Sequence, residues 1–205
     1  GEASVYFGLK GANVFGIDIS KKLLHKAKIL SEKYDVEIKF SRMQSGNLDF
    51  KDAYFDIVYG NGILHHVDIP STLTEINRVL KPGGSAFFIE PLQYNPIINI
   101  YRLMAHQVRT TDETPISWND FNLMDKYFSH VEHREFWFFS LSIFLFFFFI
   151  KRWNPSKVRY WKKIIEVGDD YKSAVQFLSK IDQKLMETFP SFRPYCWNTV
   201  IKAIK

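Results

Sequence analysis

A chain of 205 residues with 46% hydrophobic and 24% charged content can bury a core of its own, which excludes a disordered or collagen-like polymer. Its 27 basic and 22 acidic residues leave a net charge of +5, a hint of an anionic partner but short of the basic excess of a dedicated nucleic-acid binder, so no nucleic acid is expected. A single cysteine, Cys196, excludes an internal disulfide and lacks neighbours at zinc-ligand spacing; a reducing, cytoplasmic setting and no bound metal are expected.

In chain order, Glu2 to Lys10 reads as a helix stopped by Gly11, and Asn13 to Ile19 as a buried strand. Ser20 is an N-cap for a helix with Leu23, Ala27, Leu30 and Tyr34 at helical spacing, and Val36 to Phe40 alternates as a strand does. "FDIVYG", residues 55–60, is the next strand, followed by a helix opening near Ser71 and marked by Leu73, Ile76 and Leu80. "KPGG" is a turn, after which "SAFFIE", residues 85–90, is a continuous apolar strand. Strands separated by helices of these lengths imply parallel neighbours and right-handed crossovers, an α/β doubly wound sheet. In such a sheet a glycine opening a helix lets backbone approach a ligand, and an acid ending the next strand accepts from ribose hydroxyls; here the pair is Gly1 and Asp18.

The run "GANVFGIDIS", then "FDIVYGNGILHHV" at 55–67, then "EINRVLKPGGSAFFIEP" at 75–91 resembles, in this order, the Rossmann-like S-adenosylmethionine-dependent methyltransferases. The resemblance covers residues 1 to about 92. It implies a mostly parallel sheet whose last strand inserts antiparallel, with Gly1 as the last glycine of the cofactor loop and Asp18, with Ile19 beside it, at the ribose. Asn61 falls in the loop that faces the methyl donor. Gln44 stands where these enzymes commonly hold an adenine-binding aspartate, and Ser45 would offer its backbone N–H to the ring; Asp49 is out of register and reads as a loop residue. The family's first strand has no counterpart in the chain, so Gly1 reads as the remnant of a truncated cofactor loop, and this chain alone is expected to be inactive.

An activated sulfonium donor asks the protein mainly for alignment. If the acceptor must lose a proton, His65 and His66, at the carboxyl edge of the sheet, are the candidate bases; the bland alternative is that one of them packs the loop ahead of the next helix.

Residues 90–117 are too long and apolar for a simple loop and read as a lid, with Ile97, Ile100, Tyr101 and Met104 at helical spacing after Pro96. Arg102 and Arg109 are candidates to pair with an anionic acceptor, although arginines beside Asp112 and Glu113 are more often structural. Phe136 to Ile150 holds eight phenylalanines and no charge in 15 residues, too short to span a bilayer as a helix. Residues 151–163 follow with six basic and no acidic residues, among them Lys151, Arg152, Lys157, Arg159, Lys162 and Lys163. An apolar wedge beside a basic collar suits a membrane surface or a lipid-like acceptor, while a strand running into a core helix would serve for Glu132 to Phe139. After Asp170, a helix cap, Ala174, Leu178, Ile181, Leu185 and Phe189 form an apolar stripe, and residues 195–205 close the sheet.

The expectation is one domain over 1–205: a cofactor half, 1–92, then a lid, an apolar helical insertion and a closing strand over 93–205. The expected activity is methyl transfer from S-adenosylmethionine to a hydrophobic small molecule or lipid-like acceptor. A nicotinamide-dependent oxidoreductase and a non-catalytic membrane-associated scaffold are the alternatives.

Overall fold

Ser20 accepts the Leu23 N–H through its side chain, as an N-cap does, and so fixes where the chain turns from strand to helix. Boundaries of this kind set the element order in the computed structural model, which describes residues 1–104, 113–160, 163 and 168–205. Helix α1 (Glu2–Leu9) leads to strand β1 (Val14–Asp18), α2 (Lys21–Lys33), β2 (Ile38–Arg42) and β3 (Phe55–Asn61). A short 3₁₀ turn, Leu64–His66, precedes α3 (Ile69–Val79) and β4 (Leu80–Pro91). Then come α4 (Pro96–Met104), α5 (Trp118–Met124), β5 (His130–Phe136), α6 (Ser142–Phe149), α7 (Gly168–Thr188) and β6 (Asn198–Ile204).

The fold is the expected α/β class, with β1 parallel to β2, β3 parallel to β4, and the last strand β6 antiparallel between β4 and β5. The ladder is not one sheet, however. Strands β1 and β2 form a pair and the order β3-β4-β6-β5 forms a second sheet. Aromatic rings bridge them: Phe15 meets Phe55 edge-on at 5.6 Å between centroids, and Phe7 of α1 meets Tyr59 at 5.3 Å. The starts of β1 and β3 are thereby held side by side.

Several boundaries differ from the sequence expectation. Helix α3 opens three residues early because Asp68, not Ser71, is the cap; its carboxylate accepts the Ser71 N–H at 3.0 Å. The "KPGG" turn is absorbed into a twelve-residue β4, with Gly83 at φ +74. Helix α7 starts at Gly168, so Asp170 lies within it rather than capping it. The buried face of α2 is Ala27 and Ser31, with Leu23 exposed, and that of α7 is Asp182 and Met186, with Ala174, Ile181 and Phe189 exposed. In α7 a polar side chain wins the inward position because it has specific partners there, whereas in α2 the inward residues are small and the Ser31 hydroxyl is satisfied within its own helix. Ser31 donates to the Lys28 carbonyl, and Asp182 accepts from the Phe138, Phe139 and Ser140 N–H groups and the Ser140 hydroxyl.

The phenylalanine-rich segment divides. Ile143, Phe144 and Phe147 of α6 are buried with Ile98, Leu141 and Tyr160 in a core separate from the one that α3 forms on β4 and β6. Trp153, Trp197, Tyr101 and Tyr171 close its sides. Phe149 and Ile150, by contrast, are 66% and 68% exposed. Among the described residues no helix is long and apolar enough to cross a membrane.

That division predicts opposite outcomes for adjacent rings. Phe147→Ala should cost about 3–5 kcal/mol of unfolding free energy, and Phe149→Ala should stay within about 0.5 kcal/mol of wild type. Urea unfolding followed by far-UV circular dichroism measures both; equal losses would mean that the segment packs differently.

Candidate functional site

The carboxyl ends of β3 and β4 are joined by one side chain. Glu90, near the end of β4, is fully buried, and its Oε1 accepts the Ile63 N–H at 2.9 Å and the Leu64 N–H at 2.8 Å. Its Oε2 lies 2.7 Å from His65 Nδ1. The chain reaches this carboxylate from β3 through Gly62, whose φ of +65 suits a residue without Cβ and whose N–H donates to the Ile89 carbonyl. Opposite, the Thr114 N–H donates to the His65 carbonyl at 2.8 Å, and a bridge between Leu92 and Ile116 straps the segment after residue 112 along the same edge.

His65 is therefore anchored at its ring and at its carbonyl and is partly buried, whereas His66, its ring 4.0 Å away, reaches the surface. One ligand atom from each histidine and one from Glu113 lie within 4.8 Å of one another.

Asp18 ends β1 half-buried; its Oδ1 accepts the Ser20 N–H at 2.8 Å, which fixes the carboxylate at the strand end. Ile19 beside it is exposed, and its carbonyl accepts from Arg42 Nε. Asn61, exposed at the end of β3, hydrogen-bonds Tyr59, and burial raises the Tyr59 hydroxyl pKa against that bond. Gln44 is exposed and Ser45 half-buried in a tight turn in which the Asn47 N–H donates to the Gln44 carbonyl. Ser45 Oγ lies 3.0 Å from Thr72 Oγ1 of α3, so the turn is tied to the edge that carries the histidines. Gly1 caps α1, and a Cβ there would come 2.6 Å from that of Ala27, which gives its missing side chain a reason in helix packing. Arg102 donates to Asn99 Oδ1 and the Leu92 carbonyl, contacts that brace α4; Arg109, Asp112 and Lys162 lie outside the described residues. A separate cleft of about 330 Å³ is lined by Met104, Phe148, Arg152, Trp153, Asn154 and Pro155, none of them among these site residues.

Sequence reasoning missed Glu90 and Glu113 as parts of this edge. Glu90 carried a signal: an ionisable residue closing the apolar run "SAFFIE" must find partners if buried. Glu113 carried none, because only the fold brings it to the histidines.

The loop bearing Gln44 and Ser45 is pinned from behind. Glu75 accepts the Leu48 N–H at 2.7 Å and two bonds from Arg78, which also donates to the Leu48 and Phe50 carbonyls. The Arg78 hydrogen bonds, opposed by burial, hold the Glu75 carboxyl down at about 2, below its ordinary 4.5. A depressed carboxyl contributes stability above pH 4.5 and loses it as the pH falls through 2. Glu75→Gln should therefore cost about 1–2 kcal/mol at pH 7, after allowance for solvent screening, and almost nothing at pH 2. Urea midpoints at the two pH values test this; a gap that persists in acid would refute the linkage.

Comparison with known proteins places the matched segment in the first half of the chain. Residues 1–88 match the family model described as "Methyltransferase domain". The chain is 38% identical over 92 residues to the demethylmenaquinone methyltransferase of Lactobacillus johnsonii, covering 43% of this chain and 38% of that one. It is 36% identical over 105 residues to the human mitochondrial 2-methoxy-6-polyprenyl-1,4-benzoquinol methylase, covering 49% and 32% respectively. The chain thus spans about a third of the length of these curated relatives. A crystal structure from Bacillus halodurans, provisionally assigned as a methyltransferase, superposes with a TM-score of 0.55 at 17% identity, covering 95% of this chain and 83% of that one, which shows the shared fold.

Proposed function

We propose, from a chain related over its first 88 residues to the S-adenosylmethionine-dependent methyltransferases, that the protein transfers a methyl group from that cofactor to a hydrophobic, quinol-like small molecule. The observation that supports this reading is that Asp18, the Gln44–Ser45 turn, Asn61 and the histidine pair all lie at, or just after, strand ends within the segment that matches the family. The donor set suits the cofactor: a held carboxylate for ribose hydroxyls and a polar turn for a purine edge. The matches support methyl transfer over the nicotinamide-dependent and scaffold alternatives.

When bound, the sulfonium supplies a methyl already activated for displacement. The chain's own work is to bind, align and deprotonate. Asp18 accepts from the ribose, with Ile19 beside it; Gln44 and the Ser45 N–H meet the adenine; Gly1 and Asn61 border the cofactor. Alignment of acceptor and donor is worth about 7–11 kcal/mol of the barrier. His66, exposed beside the anchored His65, takes the acceptor hydroxyl proton, which raises the electron density of the attacking oxygen or ring carbon. His65, bonded to Glu90, positions it.

The exposed end of α6 supports a second part of the reading, docking on an anionic bilayer in which an apolar acceptor would dissolve. Phe148, Phe149 and Ile150 stand at the surface beside Lys151 and Arg152, an apolar tip with cationic neighbours.

Two measurements test these statements. Titration calorimetry should show that Asp18→Ala weakens S-adenosylmethionine binding by about 1.5–3 kcal/mol, through loss of charge-assisted hydrogen bonds; unchanged affinity removes Asp18 from the site. Co-sedimentation with phosphatidylserine-containing vesicles should fall as salt rises, since each basic residue adds up to about 1 kcal/mol at such a surface. It should fall further when Phe148, Phe149 and Ile150 become serine. Indifference to vesicles of any charge would overturn the docking.

A further inference from the structure

We propose that His65, His66 and Glu113 form a binding site for a divalent metal ion of the zinc class. One ligand atom from each lies within 4.8 Å of the other two. Ligands about 2.0–2.2 Å from a tetrahedral zinc stand roughly 3.4 Å apart, so loading the site asks for a closure on the order of 1 Å. The His66 side chain can supply it by rotation, because it is exposed.

The surroundings of His65 make the assignment more than proximity. Glu90 is fully buried, its Oε1 is committed to two backbone N–H groups, and its Oε2 faces His65 Nδ1. A carboxylate in that position takes the proton on Nδ1 as a donor, which leaves the lone pair on Nε2, the tautomer a metal ligand needs. The carboxylate–histidine arrangement of metal sites is thus present with its outer partner in place. Glu113 is held near by its neighbour, through the Thr114 N–H on the His65 carbonyl.

Two imidazoles and one carboxylate suit zinc or a similar transition ion, and do not suit calcium or magnesium, which prefer all-oxygen shells. Three protein ligands leave a fourth position open. The site stands without the methyl-transfer reading. If both hold, an acceptor hydroxyl in the open position is acidified by coordination, and His66 serves as ligand in place of base.

The test needs neither cofactor nor acceptor, so its failure is distinct from failure of the proposed function. Zn²⁺ alone is titrated calorimetrically into the metal-stripped 205-residue chain and into His66→Ala and Glu113→Gln variants, each checked for an unchanged thermal melt. One equivalent should bind with a Kd of about micromolar or tighter, each variant should weaken it at least about tenfold, and Co²⁺ should give the visible absorption of a four-coordinate site. Glu90→Gln, if folded, should weaken binding about 10- to 100-fold through loss of the outer carboxylate. No binding, or binding equal in wild type and the His66→Ala/Glu113→Gln double variant, overturns the proposal.

Discussion

A buried carboxylate is expensive unless every oxygen is engaged, and Glu90 meets that condition by drawing Ile63, Leu64 and His65 onto itself. The candidate site depends on this. The three contacts fold the chain back over the end of β4 immediately after β3, hold the 3₁₀ turn in place, and set which nitrogen of His65 faces outward. Removing the carboxyl group would leave the Ile63 and Leu64 N–H groups and an imidazole without their acceptor, so the edge would lose its shape before it lost any one functional group. Asp182 repeats the solution in the second core, where it gathers three backbone N–H groups and a hydroxyl at the start of the phenylalanine-rich segment.

The two halves of the chain use aromatic residues for different ends. In the first, Phe15 meets Phe55 across two sheets that share no ladder among the described residues, and Phe7 of α1 meets Tyr59 of β3. In the second, rings from α6 and its neighbours build a separate core around Phe147 and Tyr160. Burial and the charge of Tyr101 push the Tyr160 hydroxyl up to about 12, and it donates to the Trp153 carbonyl, so the ring is locked at both ends. What remains of the phenylalanine run projects at the surface beside Lys151 and Arg152.

Most of the fold was legible because it is written in local chemistry. Ser20 as a cap, Gly11 as a stop, the Leu73–Ile76 face of α3 and the strand at 85–90 all hold in the structure, whereas Leu80, expected on that helix, opens β4. Local reading failed where a distant partner decides the outcome. Leu23 and Ile181 had the periodicity of core residues, yet the small Ala27 and Ser31 face inward in α2, and Asp182 is turned inward by bonds that hydropathy does not register. The site was half legible in the same sense. Asp18 and the histidine pair stood out by residue type at strand ends, whereas Glu113 joins them only through a segment that folds back across the edge.

The central claim is that the strand ends carrying Asp18, Ser45, Asn61 and His66 bind the methyl donor. Backbone amide chemical shifts, followed by NMR while S-adenosylhomocysteine is titrated into the chain, address it at each position. The account predicts shifts concentrated at residues 18–20, 44–46 and 61–66, with the second core around Phe147 unmoved. Shifts confined to the cleft around Trp153, or none at saturating ligand, would contradict it.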